Sequence, residues 1–118
     1  MKVIVAGSRV INDEYLIYDK LNLLRTSITF DEVVSGCATG PDTIGARWAR
    51  EQDLFVREFL PDWREYGRSA GIVRNEQMGD YADCLVAFWD GRSNGTKHMI
   101  DYMLKLGKEV HVYGYKTT

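Results

Sequence analysis

The sequence predicts an α/β fold, a Rossmann-like, doubly wound parallel sheet of about five strands with helices on both faces, in the expected order 3-2-1-4-5. Three observations predict it. Five short apolar runs alternate with segments of helical periodicity. The runs are nearly unbroken and β-branched, as strands buried on both faces are. Glycines gather where the runs end.

Val3 to Ala6 is the first predicted strand. Asn12 then offers a helix N-cap, with Asp13 and Glu14 in the first turn where negative charge suits the helix dipole. Tyr15, Leu16, Tyr18, Leu21, Leu23 and Leu24 give this helix, to about Ser27, its apolar stripe. Glu32 to Ser35 is the second strand. It ends in Ser35-Gly36-Cys37-Ala38-Thr39-Gly40, and Pro41 with Asp42 opens a helix whose buried side is Ile44, Trp48 and Ala49.

Leu54 to Leu60 is the third strand, followed by a polar, aromatic connection from Pro61 to Gly67 and a helix from about Ala70 to Tyr81. Cys84 to Phe88 is the fourth strand and Trp89 to Asn94 a loop. Gly95-Thr96 begins a helix with Met99, Ile100, Met103 and Leu104 inward, stopped by Gly107. Val110 to Tyr113 is the last strand, and Tyr115 onward is expected to be a loose tail. No linker or internal repeat is visible, so the 118 residues are expected to form one domain.

Composition narrows the function. A formal net charge of −2 supplies no general basic field for a nucleic-acid backbone. Two isolated cysteines, Cys37 and Cys84, read as reduced thiols, which fits the cytoplasm. No stretch approaches the ~20 apolar residues of a membrane span.

In a sheet wound this way, ligands sit beyond the carboxyl ends of the strands where the winding reverses, here between the first and fourth. Gly7-Ser8-Arg9 and Trp89-Asp90-Gly91-Arg92-Ser93-Asn94-Gly95-Thr96 meet there. Gly95 and Thr96 present free N–H groups at a helix start, and Gly91 lets backbone approach a phosphate. Ser93 and Thr96 add hydroxyls, and Arg92 adds charge. Gly36 to Gly40 makes a second wall. Arg9, Arg68 and Arg74 are within reach of the rim, and a guanidinium fork suits phosphate. Trp63, Tyr66 and Trp89 lie in loops where an aromatic ring can stack on a base.

Other motifs fail. Gly67-Arg68-Ser69-Ala70-Gly71 fits a nucleophile elbow, but no strand leads into it. Gly91 to Lys97 lacks Walker spacing, and no G-x-G-x-x-G follows the first strand. His98 and His111 have no metal-ligand partners at motif spacing, so neither a metal nor a cofactor is expected.

Gly7-Ser8-Arg9, Ser35-Gly36 with Gly40-Pro41-Asp42, Pro61-Asp62-Trp63, Tyr66-Gly67, Arg74-Asn75 with Met78, Ala82-Asp83 and Gly95-Thr96 together resemble the SLOG superfamily. That superfamily groups the Smf/DprA and LOG proteins with YspA/YpsA-like ones, and the nearest match is the small YspA-like branch of bacteria and phages. The marks run the length of the chain. The resemblance implies a Rossmann-like fold that binds nucleotides or nucleotide-derived ligands, including ADP-ribose-type signals in some branches.

The LOG branch cleaves nucleoside monophosphates, using a helical arginine and a glutamate after a P-G-G-x-G-T motif. Arg74 resembles that arginine. The loop here is longer, lacks the proline, and has His98 and Met99 where acidic residues follow the Gly-Thr. No catalytic residue is therefore assigned. Were the chain an enzyme, Arg74 and Asp90 would be the candidates, with Asp90 as the carboxylate that an oxocarbenium-like state needs.

The leading expectation is a non-catalytic sensor or sequestering protein for a nucleotide-derived or cyclic-nucleotide ligand. Gly7, Ser8, Arg9, Gly36, Gly91, Ser93, Gly95 and Thr96 would hold phosphate, with Arg74 and Asn75 at the sugar or a second phosphate and Asp90 also among the ligand-binding residues. A phosphoribohydrolase or other nucleotide hydrolase is the alternative, and single-stranded DNA binding, suggested by the DprA branch, a distant third. Family members pair through helices, so a homo-oligomer is expected.

Overall fold

A computed structural model describes residues 1–116. The elements run β1 (Lys2–Gly7), α1 (Glu14–Arg25), β2 (Glu32–Ser35), α2 (Pro41–Glu51), β3 (Phe55–Glu58), α3 (Trp63–Tyr66), a 3₁₀ turn (Gly67–Ser69), α4 (Ala70–Tyr81), β4 (Cys84–Trp89), α5 (Asn94–Lys105) and β5 (Glu109–Gly114). The five strands are all parallel, in the order β3-β2-β1-β4-β5. The predicted order is the observed one.

Strand alternation divides the core in two. Val3 and Val5 of β1, with Val86 and Phe88 of β4, pack against Ile17, Leu21 and Leu24 of α1 and Ile44 and Trp48 of α2. Ile4 and Ala6, with Leu85 and Ala87, face Met78 of α4 and Met99, Ile100 and Met103 of α5. Backbone comes close at Gly45, where a Cβ would stand 2.4 Å from Val5 Cγ1, so α2 lies directly on β1. The far end of α4 is closed by Lys108, whose Nζ donates to the carbonyls of Gly79 at 2.7 Å, Asp80 at 3.1 Å and Ala82 at 2.8 Å. Among the described residues no helix is long and apolar enough to cross a membrane.

Several local expectations are corrected. Asp13, not Asn12, caps α1: its carboxylate accepts from Leu16 N–H at 3.0 Å. The buried stripe is Ile17, Leu21 and Leu24, while Tyr15 is 90 % exposed and Leu23 also faces outward. The inner positions 17, 21 and 24 are spaced by four and three, and Tyr15 and Leu23 fall off that spacing. The connection from Pro61 is not loop throughout, because the Asp62 carboxylate caps the short α3 through Glu65 N–H at 3.1 Å. Leu104 turns outward at 58 % exposed, leaving Met99, Ile100 and Met103 as the inner face of α5. Tyr115 is not loose, since its N–H donates to Trp89 O at 2.9 Å and its ring packs on the core. The rest of that tail, residues 117 and 118, lies outside the described residues.

Candidate functional site

The winding reverses between β1 and β4, where Gly7, the last residue of β1, pairs with Phe88. The chain beyond each strand end is short, and the loops are locked together. Ser8 N–H donates to Phe88 O at 2.9 Å. The Ser8 hydroxyl donates to Asp90 Oδ1 at 3.0 Å and accepts from Asp90 N–H at 3.1 Å. Asp90 Oδ1 also accepts from the N–H groups of Arg92 and Ser93, both at 2.9 Å. These two backbone bonds hold the Asp90 carboxyl below the usual carboxylate range, against a small push from burial. Asp90 is thus the organiser of its own loop.

The turn after β2 folds onto the same place. Gly40 precedes α2 with a φ of +83°, a conformation that suits only glycine well, and its Cβ position is ringed by the carbonyls of Ser8, Arg9 and Ile11. Pro41 then lies against Gly7, and Asp42 in the first turn of α2 is buried. Cys37 takes a φ of +65° in this turn, and its N–H donates to Ser35 Oγ at 3.2 Å.

From α4, Arg74 reaches back to this turn and donates through Nη1 to Gly36 O. A Cβ on Gly36 would stand 2.8 Å from that Nη1 and 2.9 Å from Asp42 Oδ2, so only glycine leaves room for the guanidinium. Arg74 Nε donates to Asn75 Oδ1 at 3.1 Å. Asn75, nearly buried, donates in turn to Gly95 O at 3.2 Å and so joins α4 to the start of α5. At that start Thr96 Oγ1 donates to Ser93 Oγ at 3.2 Å. The Ser93 side chain caps none of the first-turn N–H groups. Those N–H groups have no partner within the helix.

These residues enclose a cavity of about 100 Å³ lined by Gly7, Arg9, Asp42, Arg74, Asn75, Ser93, Gly95 and Thr96, among others. Two guanidinium groups and a helix N-terminus face one carboxyl group there. Burial pushes the Asp42 carboxyl up to about 6, against the downward pull of the Ala38 N–H, the Arg74 charge and the Gly7 N–H. Burial lowers the Arg74 pKa, Asp42 opposes that, and the Arg9 charge adds to it. A larger hollow of about 440 Å³ lies on the outer surface of α4 and α5. Its Lys97 and Asp101 already pair with each other at 2.7 Å, its Tyr102 hydroxyl donates to Asp80 at 2.7 Å, and His98 Nε2 lies 3.5 Å from Glu76.

Of the residues singled out in the sequence, the cavity gathers Gly7, Arg9, Arg74, Asn75, Ser93, Gly95 and Thr96. Ser8 and Asp90 stand behind it, each engaged by the other, and Gly36 lies beneath Arg74. Gly91, with a φ of +81°, faces solvent beside Gly114 and Tyr115, where a separate hollow of about 390 Å³ opens. Trp89 serves as cover: its ring packs on the core and its Nε1 donates to Ser93 O at 3.1 Å. Trp63 and Tyr66 are exposed on the α3 segment.

Asp42 was missed as a cavity residue, because a carboxylate in the first turn of a helix ordinarily answers the dipole. His111 also departs from expectation. At the opposite, amino-terminal edge of the sheet it meets Cys84 and Glu109, their ligand atoms all within 4.8 Å of one another. Neighbouring strands bring together residues that motif spacing along the chain cannot connect.

Residues 1–66 match the family described as YspA, cpYpsA-related SLOG. Over its whole length the chain is similar to the "Gene 61 protein" of Mycobacterium phage D29, with 38 % identity across 122 residues and 98 % of each chain covered. No solved structure matches. The chain therefore belongs to the YspA, cpYpsA-related SLOG family, whose general business is the binding or processing of nucleotide-related ligands.

Proposed function

We propose that the protein binds a nucleotide or nucleotide-derived phosphate ligand in the cleft beyond β1 and β4, as a sensor or sequestering protein, with the whole chain acting as one binding domain. One observation carries this reading: Arg9, Arg74 and the uncapped first turn of α5 converge on a single cavity at the reversal of the sheet. An anion there meets two positive charges and a set of backbone donors. About 100 Å³ admits a phosphoryl group with part of a sugar, while a base extends toward the rim. Gly7, Gly95 and Thr96 take the phosphate with Arg9 and Arg74, and Asn75 and Ser93 complete the polar lining.

Purified protein is screened by thermal shift against AMP, ADP-ribose, cyclic ADP-ribose forms, cyclic dinucleotides and inorganic phosphate. A ligand at a hundred times its Kd should raise Tm by about 10 °C in a domain of this size. Absence of stabilisation by every phosphate compound overturns the reading.

A second reading, nucleotide hydrolysis, is favoured by Asp42. It is the carboxyl group in the cavity, it sits near Arg74, and its pKa of about 6 suits a group that exchanges protons near neutrality. Asp90, with its oxygen committed to Ser8, Arg92 and Ser93, is replaced by Asp42 in this role. Incubation with nucleoside monophosphates and chromatography for free base separates hydrolysis from binding alone.

A further inference from the structure

We propose that Cys84, Glu109 and His111 form a binding site for a divalent cation of the Zn²⁺ class at the amino-terminal edge of the sheet, opposite the phosphate cleft. The register of β4 and β5 sets Cys84 beside Glu109 and Val86 beside His111. Residues two apart in a strand share a face, so Glu109 and His111 project on the side that holds Cys84. The Cys84 sulfur lies 3.8 Å from Glu109 Oε2, and His111 Nε2 lies 2.7 Å from the same oxygen. All three ligand atoms fall within 4.8 Å of one another. Tetrahedral zinc with bonds of about 2.0 to 2.3 Å keeps its ligands roughly 3.3 to 3.7 Å apart. Rotation of two half-exposed side chains is enough to reach that spacing.

The donor set selects the metal. One thiolate, one imidazole and one carboxylate suit a borderline cation, and this trio recurs among zinc ligands. Calcium and magnesium require more oxygen ligands than the single carboxylate offers. Cys84 is fully buried while the Glu109 and His111 side chains are 42 % and 31 % exposed. The sulfur therefore forms the floor of the site and the other two its rim, with the fourth position open to water. On binding, the thiol proton is released and the His111 proton rests on Nδ1, leaving Nε2 free to ligate. The bound cation would fasten edge strand β5 to β4 at the end of the sheet away from the cleft.

The full chain, reduced and stripped with chelator, is titrated with Zn²⁺ against a chromophoric chelator and with Co²⁺ by absorption. One equivalent of each should bind, and Co²⁺ should give a thiolate charge-transfer band that survives Cys37→Ser and is lost in Cys84→Ala. Glu109→Gln and His111→Ala, both at the rim, should each weaken Zn²⁺ at least ~10-fold, the lower end of what even outer partners of metal ligands contribute. They keep the test decisive should Cys84→Ala fail to fold. Absence of stoichiometric binding, a Co²⁺ complex without the thiolate band, or rim variants that bind like the wild type overturns the site.

Discussion

Ser8 and Asp90 hold each other in both directions, hydroxyl to carboxylate at 3.0 Å and amide to hydroxyl at 3.1 Å. The pair joins the loops that follow β1 and β4 and thereby sets the mouth of the cleft. Ser8→Ala removes a buried donor and acceptor together, which should lower stability by about 1–3 kcal/mol. Urea denaturation measures it, and an unchanged midpoint contradicts the role given to the pair.

Asp90 titrates below the usual carboxylate range, so its contribution is present above its unfolded value and fades as pH falls through the lower folded one. Asp90→Asn keeps an oxygen for Arg92 and Ser93 but cannot ionise. The variant should fold and lose that part of the acid-side decline in Tm. Any nucleotide hydrolysis should persist in it and vanish in Asp42→Asn.

Asp42 carries the opposite sign. Its folded value of about 6 lies above its unfolded 3.8, so its contribution is complete below pH 3.8 and is lost as pH rises through about 6. Asp42→Asn should gain on the wild type between pH 4 and 7 by an amount on the order of 2–3 kcal/mol. Sulfate, whose charge stays constant over that range, should bind the wild type more tightly below pH 6 and the variant without that dependence. Calorimetry at pH 5 and 7.5 tests both statements.

Arg74 is held by Gly36 O and Asn75 while its charge faces the cavity. Arg74→Met keeps much of the stem and removes the charge. Phosphate-ligand affinity should fall about 10- to 100-fold, the effect of one charge-assisted contact, with helical content unchanged by circular dichroism.

Gly45 sets two effects against each other. Alanine gains about 1 kcal/mol of helix propensity in α2. Its Cβ would stand 2.4 Å from Val5 Cγ1 in a fully buried contact, and overpacking of that kind costs about 1–3 kcal/mol or more. The clash wins, and Gly45→Ala should lower Tm.

The fold was legible because β1 and β4 are near-continuous, β-branched or apolar runs that alternate with helical segments, the pattern of a parallel sheet covered on both faces. Arg74 and Gly95 were legible because a cation on a helix and a glycine at a helix start each declare their chemistry locally. Asp42 was not, because a carboxylate in the first turn of a helix ordinarily answers the dipole, and its burial depends on Pro41 lying against Gly7 from another loop. Ser8 and Asp90 looked like ligand-binding residues for a related reason: their reciprocal bond spans 82 positions of sequence. Tyr15 and Leu23 misled because apolar residues on a short helix outnumber the places its inner face provides.

The three carbonyls gathered by Lys108 bear on the cleft at the other end of the same helix. With that ammonium at its tail, and Arg74 and Asn75 bonded to neighbouring loops, α4 is pinned along its length and has little freedom to swing. A receptor wall fixed in advance spares the incoming molecule most of the cost of ordering its host, so association should proceed in one step without a slow closing phase. Selectivity among guests then falls to the exposed fringe, Arg9 and the aromatics of α3, and it is there that relatives are free to change their preferences without rebuilding the frame.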